Sequence, residues 1–208
     1  MVLLHALGET RATWAPVVPA LAATFRVLSF DLRGHGDSDW PGDYSFQTMC
    51  DDIVSALNKL ALRRVTLVGH SMGGVVCYML AAQHPQTVER LIIEDVPPPY
   101  ERDRPLPVRS QEAVGFDWDV VPAIVRQVNA GDAGLWSSLT SITAPTLLIG
   151  GGPDSHIPQS KLDEVAAQIM GCARTTIPVG HHVHEARPKE FSLALLDWVL
   201  VKQPPGTS

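Results

Sequence analysis

The chain has 208 residues, enough for one domain whose core needs no disulfide or structural metal. Sixteen Lys and Arg against 22 Asp and Glu leave a net charge of −6, which argues against a broad basic surface for nucleic acid or anionic lipid. Cys50, Cys77 and Cys172 are odd in number and show no C-x-x-C spacing, so free thiols in a reducing compartment are expected.

Short apolar runs alternate with longer amphipathic stretches along the chain. Strands are expected at Val2 to Leu4, Arg26 to Asp31, Val65 to Gly69, Arg90 to Glu94, Pro145 to Gly150 and Ala173 to Ile177. Each is nearly continuous in apolar character, as parallel strands buried on both faces are. Helices are expected at Pro16 to Thr24, at Phe46 to Leu60 behind a Ser45 cap, and at Met72 to His84 before Pro85. Two more are expected at Pro158 to Met170 and Pro188 to Val201. This order predicts an α/β fold: a predominantly parallel sheet of about six strands with helices on both faces.

The regular series breaks once. Residues 97–143 open with Pro97-Pro98-Pro99 and turn irregular, which reads as a short lid insertion within a single domain spanning residues 1–208. The polar tail from Gln203 to Ser208 is expected to be disordered. Met1 to Leu4 is apolar but stops at His5 with no basic leader, and no apolar run reaches the length of a membrane span. A cytoplasmic protein with no membrane partner is the expectation.

The strand ending at Val68 runs into Gly69-His70-Ser71-Met72-Gly73-Gly74 and then into an apolar helix. A sharp strand-to-helix turn leaves no room for side chains two residues either side of the serine, and Gly69 and Gly73 stand there. The helix that follows aims free N–H groups at the place where an oxyanion would form. With strand before and helix after, Gly-His-Ser-Met-Gly resembles the nucleophile elbow of the α/β-hydrolase fold family. Three further stretches follow in that family's order. Leu3-Leu4-His5-Ala6-Leu7-Gly8 is similar to its oxyanion loop, Asp31-Leu32-Arg33-Gly34-His35-Gly36-Asp37-Ser38 to the loop after its fourth strand. Pro145 to Asp154 and Val179-Gly180-His181 are similar to the segments that deliver the acid and the base.

The resemblance covers nearly the whole chain, which begins inside the stretch similar to the family's third strand. It therefore implies a hydrolase fold lacking the usual first strands. Arg26 to Asp31 then becomes an open sheet edge and a route to a homodimer.

A serine hydroxyl needs a general base, and the base needs an orienting acid. Ser71, Asp154 and His181 follow the family's order of nucleophile, acid and base. Asp154 is preferred as the acid over Glu94-Asp95, which closes the preceding strand and holds the acid in some members of the fold. His181, directly after glycine, is preferred as the base over His182 and His184. A metal site in the run from His181 to His184 is not expected, because adjacent histidines diverge and no acid or cysteine stands at a ligand spacing nearby. The oxyanion would rest on the backbone N–H groups of Met72 and Leu7, and Trp118 and Trp136 are the candidate substrate contacts in the lid.

The implied reaction is acyl transfer from a small-molecule ester or lactone to water, through an acyl-enzyme on Ser71, with no metal or organic cofactor. A serine nucleophile argues against dehalogenase and epoxide hydrolase chemistry, which in this fold use an aspartate. Thioester, C–C bond and perhydrolase chemistry use the same triad and remain alternatives. So does a non-catalytic hydrolase-fold protein that only binds its ligand.

Overall fold

The computed structural model describes residues 1–109 and 115–200. Its centre is a six-stranded sheet in which every pairing is parallel. The strands are β1 (Val2–Leu4), β2 (Leu28–Phe30), β3 (Val65–His70), β4 (Val88–Glu94), β5 (Thr146–Gly150) and β6 (Ala173–Thr176), in the spatial order β2-β1-β3-β4-β5-β6. The helices are α1 (Val18–Ala22), α2 (Phe46–Lys59), α3 (Met72–Gln83), α4 (Val120–Ala130), α5 (Ala133–Ser138), α6 (Gln159–Gln168), α7 (Val183–Ala186) and α8 (Pro188–Leu200). The α/β class and the six strands agree with the sequence expectation, and β2 lies at one edge of the sheet.

The near-continuous apolar strands have a direct cause. Alternate residues of each strand enter two different cores. Val2, Leu4, Leu67, Leu91, Ile93 and Leu148 face the core built with α2, α3 and α4. Leu3, Val68, Ile92, Leu147 and Ile149 face the other, with Trp14, Leu21, Phe191 and Leu195. The order of the sheet brings the C-terminal ends of β1, β3, β4 and β5 together, so the loops leaving them meet at one rim.

Element limits move where packing overrides local pattern. The stretch expected as one helix over Pro16 to Thr24 is a 3-10 turn at Arg11–Trp14 followed by a five-residue helix with proline in its first turn. The Ser45 cap is present as a reciprocal capping box: the Ser45 side chain accepts from the Thr48 N–H, and the Thr48 side chain accepts from the Ser45 N–H. Within residues 97–143 the irregular pattern hides α4 and α5. Val120, Val121, Ile124 and Val125 of α4 are buried against the first core, so this helix of the stretch is packed onto the sheet's helical layer. The expected C-terminal tail and the last residue of the expected final helix lie outside the described residues, as do residues 110–114 of the insertion. No helix among the described residues is long and apolar enough to cross a membrane.

Candidate active site

Ser71 sits between β3 and α3 with φ 50° and ψ −115°, a strained backbone for a residue with a Cβ. The flanking glycines make that turn feasible. A Cβ on Gly69 would lie 2.5 Å from the Gly73 carbonyl oxygen, and one on Gly73 would lie 2.4 Å from the Leu4 carbonyl oxygen. The steric requirement read from the sequence is therefore met by particular backbone contacts, one of them to the strand beside the elbow.

The loop after β1 wraps the other side of the turn. Its backbone donors are divided between use and availability: Ala6 N–H donates to Glu9 at 3.2 Å, and Gly8 N–H donates to His35 Nε2 at 3.1 Å. Gly73 N–H donates to the His5 carbonyl at 3.1 Å. The N–H groups of Leu7 and Met72 have no partner among the described residues. Leu7, Met72, Ser71 and His181 all line one cavity of about 220 Å³. His5 and His35 shape this loop from below. Leu32 N–H donates to His5 Nε2 at 2.9 Å, and burial, helped by the neighbouring His35, pushes the His5 pKa down to about 4, so the ring stays neutral.

The carboxylate that meets His181 is not the one preferred on sequence grounds. His181 Nδ1 lies 2.8 Å from Asp95 Oδ2, and Asp95 is fully buried. Asp154 is exposed in the turn closed by Ser155 N–H to the Gly152 carbonyl, and its side chain makes no bond to His181 among the described residues. The cause is the path of the backbone. Asp95 follows β4 with φ 49°, a bend that turns its carboxylate toward the loop from β5. Gly180 N–H donates to the Gly151 carbonyl at 2.9 Å, which draws the His181 loop over the same spot. Asp95 also accepts from Gly151 N–H at 2.7 Å, from Gln159 Nε2 at 3.0 Å and from the Ser155 hydroxyl. Burial opposes its charge, but these four donors prevail and hold its pKa below the ordinary carboxylate value. The turn expected to carry the acid supplies a donor to it instead.

His181 is itself held below the ordinary histidine pKa, chiefly by burial, with Asp95 pulling the other way and His70 adding to the depression. Because Asp95 accepts from Nδ1, the neutral ring carries its proton there and leaves Nε2 with a lone pair.

The lid tryptophans are also corrected. Trp118 and Trp136 pack against the first core, and Trp136 Nε1 donates to the Pro99 carbonyl at 2.9 Å. Neither lines the cavity. Its lid side is formed by Ile124, Val125 and Val128 of α4, together with Arg102 and Arg104. The 3.6-residue spacing of the apolar α4 positions was the available sequence signal.

Behind the cavity lies a buried polar cluster that no local sequence spacing announced. His70 is fully buried, and its Nε2 lies 2.9 Å from the His181 carbonyl oxygen. His184 Nδ1 donates to Glu94 at 2.8 Å, both side chains fully buried, and the His184 ring stacks on Trp14 at 4.1 Å. Burial opposes the charge on His70, yet the carboxylates of Glu94 and Glu9 outweigh it and raise its pKa to about 9. Burial likewise opposes the charge on Glu9, while His70 and the Ala6 N–H overcome it and hold it at about 2. The sequence argument that no acid stands near the run His181 to His184 fails both along the chain and through the fold: Glu185 lies 3.6 Å from His182 Nδ1, three positions away, and Glu9 and Glu94 reach the run from other elements.

The comparisons with known proteins agree with this architecture. A protein of Haemophilus influenzae named as an esterase/lipase is 28% identical over 227 residues, covering 90% of this chain and 78% of that protein. A hydrolase from Pseudomonas aeruginosa PA01 superimposes with a TM-score of 0.83 at 26% identity, covering 96% of this chain and 89% of that one. Est816, described as an N-acyl homoserine lactone degrading enzyme, gives a TM-score of 0.84 at 26% identity, with 95% and 92% covered. The family model for the alpha/beta hydrolase fold matches residues 1–113, more than half of the chain and the part that carries the oxyanion loop and the elbow, and the chain belongs to the α/β-hydrolase family.

Proposed function

We propose that this hydrolase cleaves a carboxylic ester or lactone through an acyl-enzyme on Ser71, with His181 as general base and Asp95 as the orienting acid. The observation that carries the reading is His181, bonded through Nδ1 to a buried carboxylate and lining the same cavity as the strained Ser71. Ser71 Oγ attacks the substrate carbonyl carbon and His181 Nε2 takes its proton. The carbonyl oxygen becomes an anion held by the Leu7 and Met72 N–H groups, which strengthen their bonds as charge develops. Collapse expels the alkoxide, protonated by His181; in a lactone this hydroxyl remains attached to the acyl group. His181 then deprotonates water, which attacks the acyl-enzyme and frees Ser71.

The cavity and the relatives support a substrate class. Phe46, Val75, Val96, Ile124 and Val128 give it apolar walls, suited to a small apolar acyl group. The esterase/lipase name of the Haemophilus influenzae relative and the lactone-degrading activity named for Est816 support carboxylic esters and lactones above other acyl donors.

A fluorophosphonate probe with mass spectrometry, run beside a panel of acyl esters and lactones, tests the reading. The adduct is expected on Ser71, and Ser71→Ala or His181→Ala should lower turnover by roughly 10³-fold or more. An adduct on another serine, or hydrolysis that survives both variants, would overturn it.

A further inference from the structure

We propose that Glu9, His70 and His182 form a Zn²⁺ site at the edge of the cavity, which His182 lines, tying the loop after β1 to the histidine loop. One ligand atom from each lies within 4.8 Å of the others. His70 Nδ1 is 3.6 Å from Glu9 Oε2, and His182 Nδ1 is 3.1 Å from Glu9 Oε1. Zinc bonds to nitrogen and oxygen at about 2.0 to 2.2 Å, so two ligands at a tetrahedral angle stand about 3.3 to 3.5 Å apart. Each separation is close to that edge, one to each oxygen of the Glu9 carboxylate.

The second observation is independent of spacing. His70 Nδ1 is buried and has no hydrogen-bond partner, its distance to Glu9 being too long for one. The other ring nitrogen faces the His181 carbonyl oxygen, which can only accept, so Nε2 carries a hydrogen and donates at 2.9 Å. A ring that gives one N–H to a backbone carbonyl has that nitrogen fixed as metal-binding histidines do, which leaves Nδ1 as the nitrogen that can take an ion. Charge points the same way. Glu94 also offers an oxygen within 4.8 Å of ligand atoms on His70 and His184, so two carboxylates surround the His70 ring in a region removed from water. Zinc would take the place of the second proton that these carboxylates hold on His70, binding Nδ1 of the neutral ring.

The donor set selects the ion. Two imidazoles and one carboxylate suit zinc, whereas magnesium and calcium take mainly oxygen ligands. The His182 side chain is 53% exposed, so the site has an open side for the ion to enter and for a fourth ligand such as water.

This inference does not depend on the proposed reaction, because its test reads binding. The full chain, stripped with EDTA and dialysed, is titrated with ZnCl₂ in a calorimeter, and its thermal melt is followed with and without the metal. One Zn²⁺ per chain and a raised Tm are expected, as is the strong visible absorption of four-coordinate Co²⁺ when cobalt replaces zinc. His182→Gln should weaken zinc by roughly ten-fold or more, and Glu9→Gln likewise. His156→Gln should leave it unchanged, although the His156 ring packs 4.3 Å from His181. Circular dichroism checks that each variant is folded, and the exposed position of His182 keeps that variant informative if Glu9→Gln unfolds. Absence of stoichiometric binding, binding that survives His182→Gln, or binding lost in His156→Gln would each overturn the site.

Discussion

Asp95 Oδ2 and His181 Nδ1 lie 2.8 Å apart across 86 positions of sequence, joining the end of β4 to the loop before α7. Asp95→Asn should therefore leave the imidazole poorly oriented and its charged form unsupported, lowering kcat by roughly 10³- to 10⁴-fold. Asp154→Asn, at an exposed turn, should change kcat by less than about two-fold. Steady-state hydrolysis by the two purified variants decides between them, and the reverse ranking would return the acid to the turn after β5.

The pH dependence follows from the environment of His181. As the proposed general base His181 works as the neutral ring, and burial holds its pKa below the ordinary histidine value of 6.5. The neutral fraction grows as pH rises through that lowered value. With EDTA present, kcat/KM should climb with a midpoint below 6.5 and be level at neutral pH. A midpoint above about 7 would mean that Asp95 dominates over burial in setting this group.

Strain at Ser71 predicts a difference between two variants that lack its hydroxyl. Glycine adopts the φ of 50° at position 71 without the Cβ clash that alanine retains. Ser71→Gly should be more stable than Ser71→Ala by about 1 kcal/mol, measured by urea unfolding. Equal stabilities would show that the elbow stores no such strain.

The glycines beside it should behave oppositely. Gly73→Ala places a Cβ 2.4 Å from the Leu4 carbonyl oxygen, a contact with backbone rather than with a flexible side chain. The elbow or β1 must then shift, at a cost of about 1 to 3 kcal/mol. A drop in both Tm and activity is expected, the latter because β1 leads into the oxyanion loop. An unchanged melt would contradict the packing described here.

For the oxyanion donors, Leu7→Pro deletes one N–H and leaves the triad untouched. The loss should be about 10²- to 10³-fold in kcat. Circular dichroism guards against a folding defect, since proline also restrains Ala6. Full activity in a folded variant would remove Leu7 from the oxyanion hole.

What the sequence determined by itself was whatever depends on neighbours along the chain. Apolar continuity in β3, β4 and β5 reported strands buried on both faces, because alternate side chains enter two cores and neither set can be polar. The spacing of Gly69, Ser71 and Gly73 reported the elbow, because the clash it avoids lies within and beside a single turn. The tertiary structure alone decided the features that depend on where backbones cross. Asp95 and Asp154 both follow strands and both precede His181, so chain order cannot separate them. The bend at Asp95, with donors from Gly151, Ser155 and Gln159 converging on its carboxylate, does so. The same holds for Glu9 and Glu94 beside His70, His182 and His184: these residues are far apart in sequence, and only the packing of the β1 loop and the histidine loop against the end of β3 brings their charges together.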